Sequence, residues 1–177
     1  MDSNNANIQV NELTFEPYLT EEMIQERVNE LGQSLREQIG DAQPVFLVML
    51  KGAFVFAADL IRASGLGGEI DFVRTSSYVG TVSSREIKLL LPPTPALIKD
   101  RDVILVEDIV DSGYTMQTFL PILNKLEPKS VTLVSLLHKP EAQKVPVQID
   151  YIGFSIPNKF VVGYGLDYNG QGRQLKG

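Results

Sequence analysis

Asp102-Val-Ile-Leu-Val-Glu-Asp-Ile-Val-Asp-Ser-Gly-Tyr-Thr-Met116 is the stretch that decides the fold. Residues 103–106 are apolar without alternation, which predicts a strand buried on both faces, as in a parallel sheet covered by helices. Three carboxylates, Glu107, Asp108 and Asp111, then enter a turn that closes on Ser112-Gly-Tyr-Thr115 and opens a helix. Free N–H groups at a helix start attract anions, whereas the acids just before them repel anions and suit cations or sugar hydroxyls. Two carboxylates about 4 Å apart repel by roughly 4 kcal/mol at an effective dielectric near 20. A ligand that satisfies both halves carries phosphate at one end and a diol or metal at the other. A phosphorylated ribose has that form.

The flanking segments repeat the pattern. Upstream, Pro44-Val-Phe-Leu-Val-Met-Leu50 is another unalternating strand, stopping at Lys51-Gly52; residues 53–63 are helix formers and 69–78 a further strand. Thr20 is placed as an N-cap, and Ile24, Val28, Leu31, Leu35 and Ile39 recur on one helical face that Gly40 closes. Downstream, Met116, Phe119, Leu120, Leu123 and Leu126 mark a helix that Pro121 should kink and Pro128 end. Residues 131–137 and 149–156 are two more strands. Between residues 76 and 84 the composition shifts to Ser, Thr and Gly before Ile87-Lys-Leu-Leu-Leu91, which reads equally as a hairpin loop or a lid. Pro92-Pro-Thr-Pro95 is a stiff connector. Strands alternating with helices predict one α/β domain with a mainly parallel sheet. In such sheets ligands bind beyond the carboxyl ends of the strands, where Lys51, the acids, Lys139 and Asp167 all fall.

Composition narrows the chemistry. With 177 residues the chain can bury a substantial core as a single domain. A net charge of −6 argues against a general nucleic-acid binder. There is no cysteine, so disulfides, thiol nucleophiles and sulfur-ligated zinc are excluded. His138 is the only histidine, so acid–base work falls to carboxylates or lysines. Ser112-Gly-Tyr-Thr115 matches neither the Walker pattern nor Gly-x-Gly-x-x-Gly. The first seven residues show no targeting pattern and the apolar runs are far short of a membrane span, so a soluble, cytoplasmic protein is expected.

Val103-Ile-Leu-Val-Glu-Asp-Ile-Val-Asp-Ser-Gly-Tyr-Thr115 resembles the phosphoribosyl-pyrophosphate signature of the type I phosphoribosyltransferases. Leu50-Lys-Gly52, Ser76-Ser-Tyr78, Leu137-His-Lys-Pro140 and Lys159-Phe-Val-Val-Gly-Tyr-Gly-Leu-Asp-Tyr168 are similar to the hypoxanthine(-guanine) subfamily, so the resemblance spans residues 45–173. It implies the type I fold, a mainly parallel sheet flanked by helices with a small hood from the terminal segments. Residues 1–177 would form a single domain, flexible to about residue 12. The implied reaction is transfer of the 5-phosphoribosyl group from phosphoribosyl pyrophosphate to N9 of hypoxanthine, and of guanine, with Mg²⁺. Homodimers or homotetramers, with no nucleic-acid or membrane partner, are implied as well. A xanthine-preferring relative and an RNA-binding regulatory protein of the same fold are the alternatives.

Roles follow the matching residues. Ser112, Gly113, Tyr114 and Thr115 would cradle the 5′-phosphate, and Glu107 and Asp108 the ribose hydroxyls and a Mg²⁺. Asp111, at the edge of that loop, would be the catalytic base at purine N7. Lys51, Gly52 and Arg173 would take pyrophosphate, and the Leu50–Lys51 peptide can be cis in the family. Lys139 would donate to purine O6, Phe160 stack on the base and Val161 meet its edge, with Asp167 nearby as ligand of a second Mg²⁺. Ser76, Ser77 and Tyr78 would begin a lid.

Overall fold

The computed structural model describes residues 7–77 and 87–177. A short hairpin, β1 (Ile8–Val10) and β2 (Leu13–Phe15), precedes helix α1 (Glu21–Ile39). There follow β3 (Val45–Leu50), α2 (Phe54–Ser64), β4 (Glu69–Ser77), β5 (Ile87–Leu91), α3 (Pro95–Ile98) and β6 (Asp102–Val110). The chain continues through α4 (Tyr114–Asn124), β7 (Ser130–His138) and β8 (Tyr151–Ser155).

The main sheet has the order β5-β4-β3-β6-β7-β8. Its strands are parallel except β5, which runs antiparallel to β4 at the edge. The unalternating runs occupy the centre, as burial on both faces requires: Val45 to Met49 and Val103 to Val106 are each no more than 3% exposed. Helix α1 starts where expected, with the Thr20 hydroxyl accepting from the Met23 N–H at 3.3 Å, and buries Ile24, Val28, Leu31 and Leu35. Among the described residues no helix is long and apolar enough to cross a membrane.

Several local expectations change. Residues 8–12 were expected to be flexible, but they belong to the β1–β2 hairpin. Tertiary partners hold it there: Val10 is buried, and the Asn11 amide donates to the Tyr168 carbonyl at 3.1 Å. Strand β6 runs on to Val110, so Glu107 and Asp108 sit on a strand and only Asp111 lies in the turn. Its extra length comes from pairing with β7 through Glu107–Ser135, Ile109–Leu137 and Val110–His138. Helix α4 contains Pro121 and ends at Asn124, before Pro128. Pro95 opens the short α3 instead of lying in a plain connector, the position where a missing N–H is harmless. Ser76 and Ser77 pair with Lys88 and Ile87, so the segment has hairpin arms, whereas Tyr78 lies outside the described residues.

Candidate active site

β3 and β6 are neighbours, but β3 leads to β4 on one flank while β6 leads to β7 on the other. A crevice opens at the carboxyl ends of two such strands, where the winding reverses. Here it holds a cavity of about 300 Å³. Lys51 and Gly52 from beyond β3 meet Glu107 and Asp108 of β6 there, with Thr115 from α4 and Asp167 and Arg173 from the C-terminal segment. Thr75 of β4 lines it too. It stands one residue before Ser76, and a single threonine in a strand gives no signal of its own in the sequence.

The two walls fit closely. A Cβ on Gly52 would lie 1.6 Å from Asp108 Oδ2, so any larger residue there would displace that carboxylate from its present place. The Leu50–Lys51 peptide is cis. Glu107 is 7% exposed, and its Oε1 accepts from the Asp108 N–H at 3.0 Å. Asp108 Oδ1 accepts from the Ile109 N–H at 3.0 Å. Burial first, and the adjacent Asp108 charge second, raise the Glu107 carboxyl well above the usual glutamate range.

The C-terminal segment closes the other side. Asp167 pairs with the Arg173 guanidinium and accepts from the Gly170 N–H at 2.7 Å. Arg173 also donates to the Gly165 carbonyl at 2.6 Å. Glu107, Asp108 and Asp167 thus share one cavity, yet no group of three or more acid or histidine side chains among the described residues could hold a metal ion. Their hard oxygens suit Mg²⁺, which is ordinarily bound through one or two carboxylates plus substrate phosphates. The donor set therefore fits an ion that arrives with a phosphorylated ligand better than a cage made by protein alone.

Asp111, Lys139, Phe160 and Val161 do not line this cavity. Asp111 Oδ2 lies 3.4 Å from Lys139 Nζ; the lysine side chain is 8% exposed and the aspartate 50%. The Lys139 backbone N–H donates to the Val110 carbonyl at 3.0 Å, tying it to the end of β6. Phe160 is 61% exposed, with Tyr168 edge-on at 5.8 Å and Phe15 tilted at 6.1 Å between ring centroids. Val161 is half-buried. Gly113 takes φ +86° and starts α4 without a side-chain cap, with Ser112, Tyr114 and Thr115 beside it at the helix N-terminus. The Ser112 carbonyl accepts from the N–H groups of Lys144 and Val145 at 2.9 and 3.3 Å, which anchors that loop from outside.

A family profile for the phosphoribosyl transferase domain matches residues 17–169. The chain is 41% identical over 165 residues to a hypoxanthine phosphoribosyltransferase of Escherichia coli, covering 92% of both chains. It is 42% identical over 158 residues to the bifunctional protein TilS/HprT of Listeria innocua, covering 89% of this chain and 24% of that protein, so it spans about a quarter of that relative's length. A crystal structure of a hypoxanthine-guanine phosphoribosyltransferase from Bacillus anthracis superposes with a TM-score of 0.85 at 39% identity, covering 90% of this chain and 94% of that one.

Proposed function

The chain belongs to the phosphoribosyl transferase family, and from that premise we propose that it is a hypoxanthine(-guanine) phosphoribosyltransferase of purine salvage. The observation that carries the base specificity is the Asp111–Lys139 pair, an acid open to solvent beside a buried ammonium. A 6-oxopurine presents N7 and O6 side by side on one edge. Asp111 faces N7 and Lys139 donates to O6, while Phe160 offers an exposed ring for stacking. Adenine places an amino donor where Lys139 needs an acceptor, so it is disfavoured.

Thr115 and the N–H groups at the start of α4 hold the 5′-phosphate, with Glu107 and Asp108 on the ribose hydroxyls. Asp111 removes the N7 proton as N9 forms its bond to C1′ and the C1′–oxygen bond to pyrophosphate breaks. Lys51, the Gly52 backbone and Arg173 receive the leaving pyrophosphate. Glu107 and Asp108, with Asp167 opposite, would hold Mg²⁺, which when bound neutralises charge on the leaving group. Small-molecule partners agree with a net charge of −6. A cytoplasmic homodimer or homotetramer completes the proposal, following the family resemblance.

The deciding experiment offers hypoxanthine, guanine, xanthine and adenine separately with phosphoribosyl pyrophosphate and Mg²⁺ and follows pyrophosphate release. Release is expected with hypoxanthine and guanine and not with adenine, and the Lys139→Ala protein should discriminate less against adenine. No release with any oxopurine overturns the proposal.

A further inference from the structure

A part-buried polar network behind the pyrophosphate wall has no part in the chemistry above. Asp59 of α2 accepts from the Tyr164 hydroxyl at 2.6 Å and from the Gln25 amide of α1 at 3.2 Å, and it pairs with Arg62. Burial opposes its charge, yet the hydrogen bonds from Tyr164, Gln25 and Arg62 hold the carboxyl below the usual aspartate range. Tyr164 is 5% exposed and adopts φ +46°, a conformation that a bulky residue keeps only where its surroundings impose it. Burial, then the Asp59 contact, push its phenol far above the ordinary range, so it remains a donor.

The neighbours of Tyr164 show what this anchor fixes. Gly165 lies so close to the pyrophosphate loop that a Cβ on it would be 2.1 Å from the Gly52 carbonyl oxygen. Its N–H donates to the Arg173 carbonyl at 3.0 Å, and its carbonyl accepts from the Arg173 guanidinium at 2.6 Å. The Tyr164 N–H adds a bond to the Leu175 carbonyl at 2.7 Å. One strap, residues 163–165, therefore sets the positions of both Gly52 and Arg173. On its outer side is a groove of about 370 Å³ lined by Gln25, Phe54, Asp59, Tyr164 and Arg173, into which the strap could relax if its anchor were cut.

We infer that Tyr164 and Asp59 are positioning residues for the pyrophosphate end of the site. Their hydrogen bond holds the strap against Gly52 and Arg173 and so sets affinity for phosphoribosyl pyrophosphate without contact to it. This rests on the pyrophosphate role proposed for Gly52 and Arg173.

Steady-state kinetics of Tyr164→Phe, Asp59→Ala and Asp59→Asn test it, with thermal melts run in parallel. In Tyr164→Phe and Asp59→Ala, KM for phosphoribosyl pyrophosphate should rise roughly tenfold, the scale of one lost hydrogen bond to a charged group. KM for hypoxanthine should stay within about twofold in both, since Asp111 and Lys139, the pair that carries the base specificity, follow β6 and β7. Asp59→Asn keeps a carbonyl acceptor for the Tyr164 hydroxyl and should return KM to within about twofold of wild type. Equal rises for both substrates, or a lower Tm with unchanged KM, overturn the inference. Wild-type protein that transfers no phosphoribosyl group would instead overturn the proposed function. Should Tyr164→Phe not fold, Asp59→Ala carries the same comparison.

Discussion

Glu107 buries a carboxylate beside a second one, and its proton affinity in the folded chain is raised above the ordinary 4.5. Between that value and the raised folded one, the native state holds more protons than the unfolded state. Stability therefore falls as pH rises through this window, and the full penalty persists above it. Glu107→Gln removes the charge while keeping the shape. Melts in EDTA should show the variant more stable than wild type at pH 8 by a few degrees, given about 2–4 °C per kcal/mol for a chain of this size. The gain should vanish only well below pH 4.5, where the wild-type residue is protonated in both states, and a pH-independent shift would refute the reading. Burial of Glu107 was not legible in the sequence, which put all three acids in a turn. Residue type showed that charge gathers there, but only the β7 partners of β6 decide which acid is dry. Gly52 was legible as part of a loop; its role as the space for Asp108 needed the fold.

The hairpin β1–β2 shows the same limit for an element. Each strand has three residues, and its stabilising partners stand 157 and 156 positions away in sequence, as Asn11 with the Tyr168 carbonyl and Glu12 with the Tyr168 hydroxyl do. No local period reports such partners. Elements with their own signal were found: α1 from its cap and apolar face, and β3 and β6 from their unbroken apolar runs. The hairpin brings Phe15 beside Phe160, the ring proposed to stack on the base. Loss of one aromatic pair is worth about 0.5–1.5 kcal/mol, so Phe15→Ala should raise KM for hypoxanthine roughly 2- to 12-fold. KM for phosphoribosyl pyrophosphate should not change. Initial-rate measurements with each substrate varied in turn check this, and a rise confined to phosphoribosyl pyrophosphate would detach the hairpin from the base.

For the whole molecule, the alternation of buried strands and helices was enough to read a parallel α/β sheet, because burial on both faces leaves that unalternating imprint. Strand order leaves none. The placement of β3 beside β6, which brings Lys51 and Gly52 against Glu107 and Asp108, is a property of the assembled sheet. The site so made collects carboxylates from β6 and from the C-terminal segment, but no three of them form a metal-holding group among the described residues. Binding should therefore be coupled: phosphoribosyl pyrophosphate supplies the oxygens that the chain lacks. A ligand at a hundred times its Kd stabilises the native state by about 2.7 kcal/mol, which corresponds to a Tm rise of roughly 5–10 °C here. Phosphoribosyl pyrophosphate with Mg²⁺ should produce that rise, whereas Mg²⁺ alone at the same concentration should leave Tm unchanged. An equal rise with Mg²⁺ alone would mean that Glu107, Asp108 and Asp167 close around the ion without substrate, and the coupling would be wrong.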